Sequence, residues 1–308
     1  MDGIKLLLKT PFENVTHLPG WSRTQTVLDG GEIVTASPVW RIKNPFETIT
    51  YNQNTEELYW SGSLQKHLKG NNYSGFTYRE FQESVGTLAD LLNCKPVDLA
   101  VINAEISATI QQQSIHERVK SFNDKPFSPM EITKGASKVY GAVCRREQYG
   151  AKVYDKTMLE RAKVGATRTN VPDNLTQAEF LIRDKRFFTG NGFNLTAPPT
   201  LADLVKPEVY QTSFNHLIAM TKQLQIDNPI DWAYVVGKHN LSPAEFGKVL
   251  TMHDPAAAAF LKEYNYETYK KNMKLYRSVK YDLSPAAATT SEAFQRAVED
   301  AVQLKFDF

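Results

Sequence analysis

Lys152-Val153-Tyr154-Asp155-Lys156 places a phenol two residues from an ammonium group on each side. On a strand all three side chains share one face. Two nearby positive charges favour the phenolate, the nucleophilic form of tyrosine. The same tyrosine also suits a strand simply by its β propensity. A second pairing is acidic. Glu105 and Glu179 each sit mid-way along a segment that alternates between apolar and polar residues. Two carboxylates on one sheet face can hold a hard divalent cation, Mg²⁺ or Mn²⁺, or they can be exposed glutamates paired with Arg or Lys. The six histidines (His17, His67, His116, His216, His239, His253) form no HxH or HExxH pattern. No P-loop, GxGxxG or GxSxG is present, which removes support for NTP, dinucleotide and serine-hydrolase chemistry. Two cysteines, Cys94 and Cys144, make neither a disulfide framework nor a cysteine zinc site.

The elements that would position these groups follow from periodicity. Between Leu99 and Ile110, Ala100, Ile102, Ala104, Ile106, Ala108 and Ile110 make one apolar face, with Asn103, Glu105, Ser107 and Thr109 on the other. Period two predicts a half-buried strand. In Thr176–Arg183, Ala178, Phe180 and Ile182 alternate with Glu179, Leu181 and Arg183; a strand is favoured over a helix capped at Thr176. Lys138–Arg146 and Ala151–Lys156 predict a hairpin, and so do Thr48–Tyr51 and Glu57–Leu64. Thr77-Tyr78-Arg79-Glu80 is a capping box heading a helix to about Leu92, and Ser242-Pro243-Ala244-Glu245 is another. Helices over Val209–Leu224, Asp254–Tyr281 and Ser291–Leu304 dominate the last third. The expected fold class is α+β, with an antiparallel domain over 1–195 and a helical region over 196–308. Ile230–Leu250 fits either a DNA-reading helix-turn-helix or an ordinary αα-hairpin.

The chain has 308 residues and a net charge of +2, unevenly distributed. Lys134 to Arg168 holds nine basic residues against three acidic ones, and Lys262 to Lys280 holds six against two. Such segments suit a polyanion or are solvated basic surfaces. Arg145 and Arg146 are expected to be exposed. Tyr264, Tyr266, Tyr269 and Tyr276 in the second segment offer a further nucleophile or a helix's aromatic stripe. No apolar run approaches the roughly 18 residues of a membrane span, and no signal peptide is visible.

Taken in order, several short motifs form a pattern. They are Gly62-Ser63-Leu64-x-Lys66, the strand carrying Glu105, Tyr154-Asp155-Lys156 followed by Glu160, Glu179 with Arg183, and Thr200-Leu201-x-Asp203-Leu204. Over about residues 50–225 the chain resembles the gene II/X family of phage and plasmid replication initiators, typified by the filamentous-phage gene II nickase. The resemblance implies an antiparallel-sheet, HUH-like replication-initiator domain. It implies that Tyr154 attacks the DNA backbone with Lys152 and Lys156 assisting, and that Glu105 and Glu179 bind Mg²⁺ or Mn²⁺. Lys66, Arg145, Arg146, Lys163, Arg168 and Arg183 would contact DNA. The family's Arg-x-Glu segment reads Gln177-Ala178-Glu179 here, so its first phosphate contact departs from the pattern. The product would be a 5′-phosphotyrosyl adduct and a 3′-hydroxyl primer on single-stranded origin DNA. Host helicase and polymerase are the implied partners, in the cytoplasm of a bacterial host and without a membrane. The competing expectations are a non-catalytic, sequence-specific DNA-binding protein and a viral structural protein.

Overall fold

A computed structural model describes residues 3–27, 33–44, 46–112, 114–132, 138–163, 171–196, 198–227, 232–280 and 290–306. In chain order the elements begin with β1 (Gly3–Lys9), β2 (Ser22–Val27), β3 (Ile33–Lys43), β4 (Glu47–Asn52) and β5 (Glu57–Ser63). Then come α1 (Leu64–Lys69), α2 (Tyr78–Leu91), β6 (Ala100–Gln111), β7 (Val119–Phe122), β8 (Lys125–Pro126) and β9 (Ser128–Ile132). The hairpin β10 (Lys138–Arg145) and β11 (Tyr149–Asp155) runs into α3 (Lys156–Lys163), followed by β12 (Leu175–Ile182), α4 (Leu201–Leu204), α5 (Pro207–Lys222) and β13 (Leu224–Ile226). The remaining helices are α6 (Trp232–His239), α7 (Pro243–His253), α8 (Pro255–Tyr264), α9 (Tyr266–Val279) and α10 (Thr290–Gln303).

Ten strands form one sheet in the order β2-β3-β4-β5-β1-β6-β12-β11-β10-β9. Every neighbouring pair in it is antiparallel. The fold is therefore mixed, with a large antiparallel sheet and helices. β7, β8 and β13 make a smaller sheet. β12 lies at the centre between β6 and β11, and all eight of its residues are buried. Period two had suggested a half-polar strand; the central position covers both faces. α5 lies against β6 and β12 and buries Phe214 and Leu217.

In β6 Ala104, Ile106, Ala108 and Ile110 are buried as predicted, but Ser107 of the polar face is buried too, and Val101 rather than Ile102 is buried at its start. The β1–β6 register shifts between Lys5 and Leu6, opposite Asn103 and Val101. A bulge there inverts the facing of the residues before it. Lys156 opens α3 instead of closing β11, because the Asp155 carboxylate accepts the Met158 amide at 2.7 Å and caps the helix. The predicted Asp254–Tyr281 helix is two helices. Asn265 interrupts it and caps α9 by accepting from the Thr268 amide. The capping boxes at Thr77 and Ser242 both form.

The chain divides into two compact units, Met1–Gln225 with Phe294–Phe308, and Ile226–Ala293. α4, α5 and α10 from Phe294 onward, which the sequence places in the helical region after residue 195, belong to the first. In the second unit, Val235, Val249 and Val279 form the core, and Trp232, Leu241, Leu275 and Tyr276 pack against it. Among the described residues no helix is long and apolar enough to cross a membrane.

Candidate active site

Register brings the predicted groups together. β11 and β12 pair Lys152 with Glu179 and Tyr154 with Gln177. β12 and β6 pair Glu179 with Ser107 and Leu181 with Glu105. Glu105, Glu179, Lys152 and Tyr154 therefore share the sheet face opposite Ala104, Ile106, Ala108 and Phe180. The Lys152 ammonium touches Glu105 Oε1 at 2.6 Å and Glu179 Oε2 at 3.0 Å. The Tyr154 hydroxyl donates to the other Glu179 oxygen at 2.7 Å. Tyr154 is 5% exposed and Glu179 2%.

These distances change two expectations. The two carboxylates do converge as a cation pair would, but the Lys152 ammonium stands between them. Burial pulls the Lys152 pKa down, and the Glu179 and then the Glu105 carboxylates more than reverse this, holding it above the ordinary lysine value. The Tyr154 hydroxyl meets a carboxylate that can take its proton, where the spacing had suggested lysines that stabilise the phenolate. Lys156 lies farther off, its ammonium 5.7 Å from the centre of the Tyr154 ring.

Two helix caps build the other wall. Ser63 Oγ accepts the Lys66 amide at 3.2 Å and starts α1 directly from β5. Asp155 starts α3 directly from β11. The resulting helices aim Lys66 and Lys156 at one buried carboxylate, Glu160, at 3.6 and 3.8 Å. Glu160 is fully buried and Lys156 nearly so. Two ammonium groups and one carboxylate meet in this wall, and two carboxylates and one ammonium meet in the Glu105, Lys152 and Glu179 group. Tyr154 lies at the divide. The space between is a cavity of about 350 Å³ lined by residues that include Lys66, Glu105, Lys152, Tyr154, Lys156 and Glu179.

Tyr140, Gly3 and Gly141 belong to this site and were not singled out from sequence. Tyr140 lines the cavity, its ring 6.0 Å from that of Tyr154. A Cβ on Gly3 would fall 2.4 Å from Glu105 Oε2, and one on Gly141 2.4 Å from Tyr154 Cβ. Nothing in a single sequence marks these glycines, because the close approaches depend on the register of β1 against β6 and of β10 against β11.

The predicted DNA contacts separate into groups. Arg145 and Arg183 are exposed and line a second cavity of about 300 Å³ that shares Glu105 and Lys152 with the first. Arg146 is not exposed as expected. Its guanidinium donates to the Asn123 carbonyl and to the Phe122 carbonyl at 3.3 Å, and it lies over the Tyr149 ring. It holds the β7–β8 turn against the β10–β11 hairpin. Lys163 ends α3, and Arg168 lies outside the described residues, as does Lys134. Among the described residues no group of three or more His, Cys, Asp and Glu comes together. Glu105 and Glu179 are the acidic pair of the cavity, an all-oxygen donor set that fits a hard cation.

No protein-family model and no curated protein matches this chain.

Proposed function

We propose that the chain is a rolling-circle replication initiator that nicks one DNA strand by tyrosine transesterification. The observation that carries the reading is the Tyr154 hydroxyl donating to the buried Glu179 carboxylate beside the lysines of an open-ended cavity. As the Tyr154 oxygen forms its bond to the scissile phosphorus, Glu179 takes the phenolic proton. The bond from phosphorus to the 3′-oxygen breaks, that oxygen takes a proton from water to become the primer hydroxyl, and Glu179 returns its proton to solvent. One phosphodiester is exchanged for another, so no high-energy cofactor is consumed. The ammonium groups of Lys66 and Lys156 receive the phosphate and stabilise the charge that builds on its oxygens. Arg145 and Arg183 in the adjoining cavity continue the path of the strand. Glu105 and Glu179 would hold Mg²⁺ or Mn²⁺, which supplies charge neutralisation at the phosphate. Lys152, which contacts both carboxylates, would add a further positive charge beside the phosphate. The single-stranded origin, host helicase and polymerase, and the bacterial cytoplasm belong to the same proposal.

The test is an SDS-resistant protein–DNA adduct. The protein is incubated with Mn²⁺ and a library of single-stranded oligonucleotides, and the linked DNA is recovered and sequenced. Wild type should give an adduct at one sequence, and Tyr154→Phe should fold, bind and give none. An adduct formed by Tyr154→Phe defeats the assignment of the nucleophile. Retardation of DNA with no adduct from wild type means a binding protein.

A further inference from the structure

The second unit carries a surface that the nicking chemistry does not use. Helix α8 contains four alanines, a phenylalanine and a leucine, yet none of its residues is buried. Phe260, Tyr264 and, on α9, Tyr266 are 61%, 71% and 51% exposed. Their rings are ordered in parallel pairs. Phe260 and Tyr264 lie 4.4 Å apart at 27°, and Tyr266 and Tyr269 lie 6.1 Å apart at 16°. The Lys270 ammonium lies 4.7 Å over the Tyr266 ring.

Helical spacing continues this pattern. Tyr266, Lys270, Lys274 and Arg277 fall on one face of α9, opposite the buried Asn272 and Val279 and the packed Leu275 and Tyr276. Successive cations on that face stand about 4.5–6 Å apart along the axis, close to one turn each. Lys262, Lys270, Lys271, Lys274, Arg277 and Lys280 are all exposed, against two acidic residues in the same stretch. The core of a protein–protein interface is depleted in lysine, so a lysine-rich aromatic surface fits a protein partner poorly. Flat rings flanked by cations match planar bases on a phosphate backbone.

We propose that α8 and the Tyr266–Arg277 face of α9 form a binding platform for single-stranded nucleic acid, separate from the Tyr154 cavity. Bases stack on the Phe260–Tyr264 and Tyr266–Tyr269 pairs, and Lys270, Lys274 and Arg277 hold the phosphates. The platform does not depend on Tyr154 being a nucleophile.

The test uses the full chain carrying Tyr154→Phe, so that no chemistry intervenes, and a fluorescent oligo-dT as probe. Phe260→Ala/Tyr264→Ala/Tyr266→Ala should weaken binding by at least about 30-fold, since about two stacked bases are lost. Lys270→Gln/Lys274→Gln/Arg277→Gln should reduce the slope of log affinity against log salt by about 2, at ~0.7 per phosphate contact. Far-ultraviolet circular dichroism checks that both variants are folded, and either variant alone suffices as the test. Unchanged affinity in the aromatic variant, or an unchanged salt slope in the cation variant, overturns the platform. So does a wild-type dimer in sedimentation that the aromatic substitutions dissolve, because the patch is then a self-interface. Adduct formation is scored separately in the Tyr154 protein, so loss of one proposal leaves the other standing.

Discussion

Replacing Lys152 by methionine keeps the aliphatic stem and removes the ammonium that touches Glu105 and Glu179 at 2.6 and 3.0 Å. The two contacts differ in weight. The Glu105 side chain is 35% exposed, so that arm is worth at most about 1 kcal/mol. The Glu179 side chain is 3% exposed, and removing one partner of a buried pair costs about 3–5 kcal/mol. Tyr154 still donates to Glu179 in the variant and offsets part of that loss, so the expected cost is about 3 kcal/mol. For a unit of this size that lowers the melting temperature by roughly 6–12 °C. Urea unfolding should show the same loss as a lower midpoint with an unchanged slope. The two carboxylates then face one another without a cation, so Mn²⁺ should restore stability in the variant and do less in wild type. At a hundredfold excess over its dissociation constant the ion would return about 2.7 kcal/mol. A cost below about 1 kcal/mol, or no response of the variant to Mn²⁺, refutes the view that Lys152 is the counter-charge of the acidic pair.

Gly3→Ala places a methyl group where the Glu105 carboxylate now lies. Because the flexible end of Glu105 can give way, the unfolding midpoint should move little while adduct formation falls at least tenfold; equal rates in the two proteins would sink the role given to Glu105. Arg145→Ala should lower the salt slope for single-stranded DNA by ~0.7, one contact, without loss of stability. Arg146→Ala should instead destabilise, which melting curves of the two variants compare directly. His216 stacks between Phe180 and Phe193 and donates to the Asn191 carbonyl, and burial depresses its pKa. The unfolded chain then binds the proton more readily, so His216 contributes stability above about pH 6.5 that is lost as the pH falls further. His216→Phe should flatten this acid-side slope between pH 7 and pH 5, and an unchanged slope would assign it to other groups.

Much of the local structure was legible in the sequence because its causes are local. Thr77 with Glu80 and Ser242 with Glu245 announce two helix starts through hydrogen bonds spanning three residues. Alternation in Ala104–Ile110 and Leu175–Ile182 gives strands, and it assigns Glu105 and Glu179 to polar faces without reference to any partner. The spacing of Lys152 and Tyr154 likewise puts both on one face.

Only the tertiary structure decided how these faces meet. Pairing β12 between β6 and β11 sets Lys152 against Glu179 and Glu179 against Ser107. A slip of one residue in either ladder would send the carboxylates to opposite faces. That register turned two expected cation ligands and one expected activator of tyrosine into a single ion-paired group with Lys152 in its middle. The packing of α1 and α3 buried Glu160 between Lys66 and Lys156, and the β1–β6 pairing made Gly3 the space in which Glu105 lies. Arg145 and Arg146 look alike in the sequence. One meets solvent and the other meets the β7–β8 turn, because Arg145 closes β10 while Arg146 stands in the turn that follows, and only the fold decides what lies beside each.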